Sequence, residues 1–303
     1  FIAGNSRLIS PAIADLDNDG TKEIISRHYH TLFVFNSNGI NFSGWPKSFS
    51  QFATAFSSPA AADLDNDGFK DIIFQIRNEL TGRDQLYAWN KNGVQLFSPI
   101  VLGYNSYGAS PVIGDIDNDK NYEIVAVTGD LSFKPKVYVV EKNGSFTPNF
   151  PVQLQQGYTA NDLALGDIDN DGLLEILVGI TNDVSPFNDV FAVKNNGAIV
   201  SGFPVTTGNC RISSQPIIAD LDNIAGKEIM IGTGGCFYSE NGKLGAWKNN
   251  ASPLSGFPKD SDWSMQSTSA VSDLDADGDA ELIMPDYSGN IYAWDFSSTR
   301  KEF

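Results

Sequence analysis

Short apolar runs alternate with short polar segments along the whole chain, and they do so on a fixed period. One apolar run, as in Pro59-Ala60-Ala61-Ala62 or Pro216-Ile217-Ile218-Ala219, sits just ahead of an acidic segment. A β-branched run follows the acids, as in Glu23-Ile24-Ile25, Asp71-Ile72-Ile73-Phe74 and Glu175-Ile176-Leu177-Val178. A third run alternates with aromatics: Leu86-Tyr87-Ala88-Trp89, Val190-Phe191-Ala192-Val193 and Ile291-Tyr292-Ala293-Trp294. Runs this short, rich in β-branched and aromatic residues and without helical periodicity, predict strands. Asn-Gly pairs come next, at 38–39, 92–93, 143–144 and 196–197. They predict tight hairpins in which both turn residues take positive φ. Units often close on Gly-aromatic-Pro, at 44–46, 202–204 and 256–258, where proline suits the start or edge of an outer strand.

The acidic segment makes the period plain. Its first aspartates are Asp15, Asp63, Asp115, Asp167, Asp220 and Asp273, spaced 48, 52, 52, 53 and 53 residues apart. Six units of four short strands fill residues 1–303. They predict an all-β fold: a single six-bladed β-propeller domain, four antiparallel strands per blade, with the acidic loop between the first and second strands. One four-stranded sheet cannot bury both its faces, and a closed ring of blades can without leaving a long free edge. The last unit has only a short tail after Trp294, so Phe1 to Gly4 are expected to reinforce its outer strand as a clasp.

Within nine residues the loops place acids at positions 1, 3, 5 and 9. These are Asp15, Asp17, Asp19 and Glu23; Asp63, Asp65, Asp67 and Asp71; Asp115, Asp117, Asp119 and Glu123; Asp167, Asp169, Asp171 and Glu175; and Asp273, Asp275, Asp277 and Glu281. Four carboxylates so close repel unless a hard dication gathers them, and Ca²⁺ takes six to eight oxygens in flexible geometry. The position-7 carbonyls of Thr21, Phe69, Asn121, Leu173 and Asp279 are the expected extra donors, and glycine at position 6 allows the bend. Mg²⁺ fits less well, because it demands near-octahedral geometry and keeps its waters. An EF-hand is excluded, since its last acid falls at position 12 between helices. A single such loop also suits an ordinary Asp/Asn/Gly turn; five copies at one spacing do not. The loop at Asp220 has Ile224 at position 5 and its glycine displaced to Gly226, so it is expected to bind weakly or not at all. The third loop has Lys120 in place of glycine but keeps every acid. The expectation is about five Ca²⁺ sites.

The repeated Asp-x-Asp-x-Asp-Gly-x-x-Asp/Glu between strands resembles the FG-GAP/VCBS repeat family, which includes the integrin α-subunit propellers. The resemblance covers essentially the whole chain and implies Ca²⁺ in the five loops above. Integrin propellers have seven blades and this chain shows six units, which speaks against an integrin-like partner; its Gly-Phe-Pro and Tyr-Ala-Trp wording is closer to secreted or surface-attached bacterial VCBS proteins. From that likeness the chain is expected to be a non-catalytic, extracellular or cell-surface module that binds a protein or a glycan in adhesion. It would belong to a larger chain. A polysaccharide lyase or glycosidase, or an accessory domain of one, is the first alternative, and a structural spacer the second.

Charge narrows the partners further. Acidic residues outnumber basic ones 37 to 20, giving a net charge of −17. Such a surface repels phosphate backbones and anionic membranes, so neither nucleic acid nor a membrane is an expected partner. No apolar run reaches the roughly 18 residues that span a bilayer. The chain starts at Phe1 without a basic, then apolar, leader, and so reads as a mature chain or an excised domain. The two cysteines, Cys210 and Cys236, flank the fifth loop, and antiparallel pairing of its strands makes a disulfide the favoured expectation over two buried thiols. A metal or acid–base role for His28 and His30 needs partners that the sequence does not show, so they are assigned to packing or the surface. Connections entering the first strands carry Arg7, Phe56, Tyr104, Tyr107, Tyr158, Asn161, Arg211 and Trp263. These are the candidate ligand face, with channel filling as the rival reading. The aromatics Phe33, Tyr87, Trp89, Trp247, Tyr292 and Trp294 are expected in the core between blades.

Overall fold

A computed structural model describes residues 10–295 apart from 51–52, 55–56, 105–108, 130–133, 155–158, 182–187, 222–223, 237–240, 277 and 279. The expected clasp of Phe1 to Gly4 lies outside the described residues. The chain divides into two compact units, Phe1–Ala160 and Asn161–Phe303. In the first, β1 (Ala12–Ala14), β2 (Glu23–His28), β3 (Thr31–Phe35) and β4 (Lys47–Ser48) form one antiparallel sheet in chain order. The second sheet splits its first strand into β5 (Ala53–Thr54) and β6 (Ala60–Ala62). Both pieces pair with β7 (Asp71–Asn78), followed by β8 (Arg83–Trp89) and β9 (Ile100–Tyr104). The third runs β10 (Val112–Gly114), β11 (Glu123–Thr128), β12 (Lys136–Val140) and β13 (Val152–Gln153).

The boundary between the units falls within β14 (Thr159–Gly166), which pairs with β15 (Glu175–Thr181), β16 (Asn188–Val193) and β17 (Val205–Gly208). The fifth sheet again splits its first strand, into β18 (Cys210–Ile212) and β19 (Ile217–Ala219). Both pair with β20 (Glu228–Cys236), then come β21 (Lys243–Trp247) and β22 (Lys259–Asp260). The sixth has three strands among the described residues, β23 (Ala270–Ser272), β24 (Glu281–Pro285) and β25 (Ile291–Trp294).

One register recurs. The residue after the position-9 acid faces the last residue of the third strand: Ile24 with Phe35, Ile72 with Trp89, Ile124 with Val140, Ile176 with Val193, Ile229 with Trp247 and Leu282 with Trp294. Because side chains alternate, this register aims the same positions at the neighbouring sheet within each unit. In the first unit Ile25, Leu32 and Val34 pack against Ile72, Phe74 and Ile76, and Ile73, Leu86 and Ala88 pack against Ile124, Ala126 and Val140. In the second, Leu177, Val190 and Ala192 meet Ile212, Ile229 and Ile231, and Met230, Leu244 and Ala246 meet Leu282 and Met284. Trp89 and Trp247 are buried, while Tyr87, Tyr292 and Trp294 pack on the core edges. Phe33 is half-buried and stacks on Phe35, with ring centroids 5.5 Å apart.

The hairpins differ from expectation in one respect. Gly39, Gly93, Gly144 and Gly197 have positive φ, but Asn38, Asn92, Asn143 and Asn196 do not. The glycine N–H bonds back three residues, Gly39 to the Asn36 carbonyl at 2.9 Å, which is a type I turn ending in a bulged glycine. The asparagines serve by side chain instead: the Oδ1 of Asn143 accepts from the Ser145 N–H at 2.8 Å, and that of Asn196 from the Ala198 N–H at 3.0 Å. The Gly-aromatic-Pro closure has a packing reason. Gly44 has φ +85°, and a Cβ there would lie 1.9 Å from the Asn92 carbonyl oxygen of the next repeat's hairpin. The prolines that follow, at Trp45-Pro46, Phe203-Pro204 and Phe257-Pro258, have cis peptide bonds, as does Phe150-Pro151.

Candidate metal centres in the repeat loops

Each acidic loop joins the first and second strands of its sheet and is built by its own backbone. Position 4 takes a left-handed conformation in Asn18, Asn66, Asn118, Asn170 and Ala276, with φ between 60° and 63°. Asparagine accepts this conformation readily because its short side chain bonds locally. Position 6 takes φ of +86° at Gly20, +90° at Gly68, +88° at Gly172 and +100° at Gly278; Lys120 adopts +73° and carries the strain that glycine avoids. The position-1 aspartate closes the bend, accepting the position-6 N–H at 3.0 Å for Asp15, 2.9 Å for Asp63 and Asp115, 3.0 Å for Asp167 and 3.2 Å for Asp273.

Position 9 has two tasks. One oxygen of its carboxylate accepts the N–H of position 2: Glu23 from Leu16 at 2.9 Å, Asp71 from Leu64 at 2.8 Å, Glu123 from Ile116 at 2.9 Å, Glu175 from Ile168 at 3.1 Å and Glu281 from Leu274 at 2.5 Å. The other oxygen is left for the loop. In Asp71 and Glu281 that atom is buried and makes no hydrogen bond, as does Oδ1 of Asp15. A buried carboxylate oxygen without a partner is costly, so these atoms fit a bound cation. Burial pushes Asp71 up to about 7, reinforced by the charges of Asp65, Asp67 and Asp63 against the Leu64 hydrogen bond. Glu123 reaches about 7 chiefly through burial as well, and burial also raises Glu23 and Glu175.

Carboxylate oxygens within 4.8 Å of one another gather in five groups: Asp15, Asp17 and Asp19; Asp63, Asp65 and Asp71; Asp115, Asp117 and Glu123; Asp167, Asp169 and Glu175; Asp273, Asp275 and Glu281. Two ligands on opposite sides of a Ca²⁺ at about 2.4 Å each are about 4.8 Å apart, so the donor set fits that ion. Position 5 also bonds within the middle loops. Asp67, Asp119 and Asp171 turn Oδ1 to the position-7 N–H of Phe69, Asn121 and Leu173 at 2.8, 2.7 and 2.9 Å. Asp19 does the same with the N–H of Thr21, at 2.7 Å, and still lies in its group. Asp277 and Asp279 lie outside the described residues.

Sequence reasoning missed the latch between positions 9 and 2. Its signal was the apolar residue between two aspartates: Leu16, Leu64, Ile116, Ile168 and Leu221 are at most 1% exposed. The degenerate fifth loop keeps it, with Glu228 accepting from Leu221 at 2.8 Å, so position 9 holds the fold even where position 5 is lost.

Family comparison agrees with this geometry. A model of the FG-GAP-like repeat matches residues 15–74 and 123–178, each span beginning in a loop described above. The solved Dos1 propeller has a similar fold, with a TM-score of 0.57 at 13% identity over 93% of this chain and 67% of that one. Residues 15–74 and 123–178 thus carry FG-GAP-like repeats, in a chain whose fold resembles a solved propeller. This FG-GAP repeat protein is also similar in fold to the V. cholerae biofilm matrix protein Bap1, with a TM-score of 0.61 at 19% identity. It covers 89% of its own length there but only 42% of the Bap1 chain. The C-terminal domain of Pseudomonas aeruginosa PilY1 gives a TM-score of 0.53 at 14% identity, over 87% of this chain and 66% of that one. No curated protein matches the sequence.

The other candidate residues of this FG-GAP repeat protein are dispersed. Cys210 faces Cys236 in the register of β18 and β20 and is disulfide-bonded, with no free cysteine among the described residues. Tyr104 ends β9 under Arg83, whose Nε donates to its hydroxyl at 3.1 Å. Arg211 is exposed on β18, and Trp263 is 39% exposed. Asn161 lies in β14; Arg7, Phe56, Tyr107 and Tyr158 lie outside the described residues. His28 ends β2 at the surface, edge-on to Tyr29 at 4.5 Å, and His30 sits in the adjoining turn. Among the described residues no helix is long and apolar enough to cross a membrane.

Proposed function

We propose that this chain is a calcium-stabilised, six-bladed propeller module that acts outside the cell or on its surface, binding a protein or a glycan without catalysis. One observation carries the reading. In loop after loop a buried carboxylate gives one oxygen to the backbone and holds the other toward a group of acids within 4.8 Å. Calcium supplies the charge that those oxygens lack, and position-7 carbonyls complete its shell. Five dications also add ten positive charges to a net −17. The disulfide suits an oxidising compartment. The fold likeness to a biofilm matrix protein supports a role in adhesion.

In the second unit the ligand surface is assigned to Trp263 and Tyr287, 39% and 72% exposed. The Tyr287 N–H donates to the Ser264 carbonyl at 2.9 Å, which sets the hairpin carrying Tyr287 beside the segment carrying Trp263. Asn290 Nδ2 donates to Asp262 Oδ2 at 3.5 Å, a second polar contact between the two segments.

Binding to the folded state alone stabilises it by RT ln(1 + [L]/Kd), about 2.7 kcal/mol per site at a hundredfold excess over Kd. Calorimetric melting with millimolar Ca²⁺ and then with EGTA is the test. A large fall in melting temperature on chelation is expected; an unchanged melt sinks the calcium reading. Glycan arrays and pull-downs with wild type and Trp263→Ala test the ligand surface, and equal binding by both would remove it.

A further inference from the structure

The residue directly after the third strand occupies one structural position in five repeats. Its N–H closes the hairpin: Asn36 to the Ile40 carbonyl, Asn90 to Val94, Glu141 to Ser145, Lys194 to Ala198 and Lys248 to Ser252, each at 2.8 or 2.9 Å. In the first two repeats the side chain stays in the turn. Asn36 Oδ1 accepts from the Asn38 and Ile40 N–H groups, and Asn90 Oδ1 from those of Asn92 and Val94, at 3.0 to 3.1 Å. In the fourth repeat the side chain leaves the turn. Lys194 Nζ lies 3.3 Å from Asp169 Oδ2, 3.8 Å from Asp171 Oδ2 and 4.0 Å from Glu175 Oε1, the last on a side chain only 1% exposed. Asp169 and Glu175 belong to the oxygen group that fits a cation in this loop.

We propose that Lys194 is a built-in competitor for the ion in the fourth loop, lowering that site's calcium affinity below that of the second loop. The proposal rests on the calcium reading above. The ammonium already neutralises part of the acid cluster, so an arriving dication either displaces it or binds beside it. A single positive charge about 6 Å from a dication in a water-like dielectric weakens binding roughly tenfold. The same ammonium steadies the loop when calcium is scarce. Lys194 is one third exposed and sits on a flexible stem, so it can swing away when calcium is abundant. The fourth loop thus fills after the second as calcium rises, and the two are graded by a residue outside the nine-residue motif.

The test is hydrogen exchange read by peptide mass spectrometry on the full chain across a calcium titration, following 167–175 and 63–71 separately. Wild type is expected to protect 167–175 at about tenfold higher free calcium than 63–71. Lys194→Asn installs the residue found in the first two repeats. It should lower the 167–175 midpoint about tenfold and leave 63–71 unmoved. The reciprocal Asn90→Lys should raise the 63–71 midpoint, and it keeps the idea testable should Lys194→Asn fold poorly. If the loops respond to calcium but neither substitution moves its own midpoint, the lysine proposal falls and the calcium reading stands. If no loop gains protection at millimolar calcium, both fall.

Discussion

Asp71 gives one oxygen to the Leu64 N–H at 2.8 Å and keeps the other bare, and burial among acids holds its pKa at about 7. The first oxygen does a neutral acceptor's work; the second needs a cation. Asp71→Asn separates the two, because asparagine keeps an acceptor for Leu64 and loses the charge. With calcium present the variant should melt a few degrees below wild type. In metal-free buffer it should melt at or above wild type, since it no longer buries an unmatched charge. Differential scanning calorimetry under both conditions checks the crossover, and a loss of equal size in both would show a purely structural carboxylate. The spacing of the acids was legible residue by residue. Their division of labour was not, because a ligand and a latch look alike in sequence until the N–H they serve is placed. Lys194 was hidden for a related reason: it stands 19 residues beyond Glu175, and only the pairing of β15 with β16 brings it back.

Strands and hairpins show where local pattern suffices and where it fails. Alternation and β-branched runs located the second and third strands, because those strands bury a face against the next sheet in a fixed register. The turn type was misjudged, because Asn-Gly fits two hairpin geometries and the chain uses the type I turn with a bulged glycine. Gly44 and Gly39 both have positive φ, yet only Gly44 abuts the Asn92 carbonyl. Gly39→Ala should therefore cost about 1–2 kcal/mol, from backbone strain alone. Gly44→Ala should cost about 2–4 kcal/mol, because the next hairpin must also move. Urea denaturation of the pair checks this, and equal losses would remove the packing argument. The β24–β25 hairpin offers a pH test. Burial pushes Asp286 up, but donors from Ser288, Asn290 and Tyr292 outweigh it and hold it at about 2. A lowered pKa contributes stability above the unfolded value near 3.9 and loses it as pH falls towards about 2. Wild type should thus exceed Asp286→Asn in melting temperature at pH 6, with the gap closing by pH 2; a constant gap would contradict the assignment.

At the scale of the molecule, the even period of the loops announced the repeat architecture, and the antiparallel sheets follow it. Charge acts at this scale too. A chain of net charge −17 repels itself most when salt is low. Removing calcium should therefore lower the melting temperature more in about 20 mM salt than in about 500 mM salt, where the Debye length shrinks several-fold. Melting curves at both strengths, with and without EGTA, read the difference. Equal losses would mean that the ions act only as local ligands.

The latch between positions 9 and 2 has a kinetic consequence. It closes each loop by a hydrogen bond within the protein, so the ring of donors is drawn together before any ion arrives. Under the calcium reading proposed above, capture would require little searching by the chain, because the latch has already spent the ordering cost. The repeats would then respond to calcium as receptacles whose backbone is set beforehand.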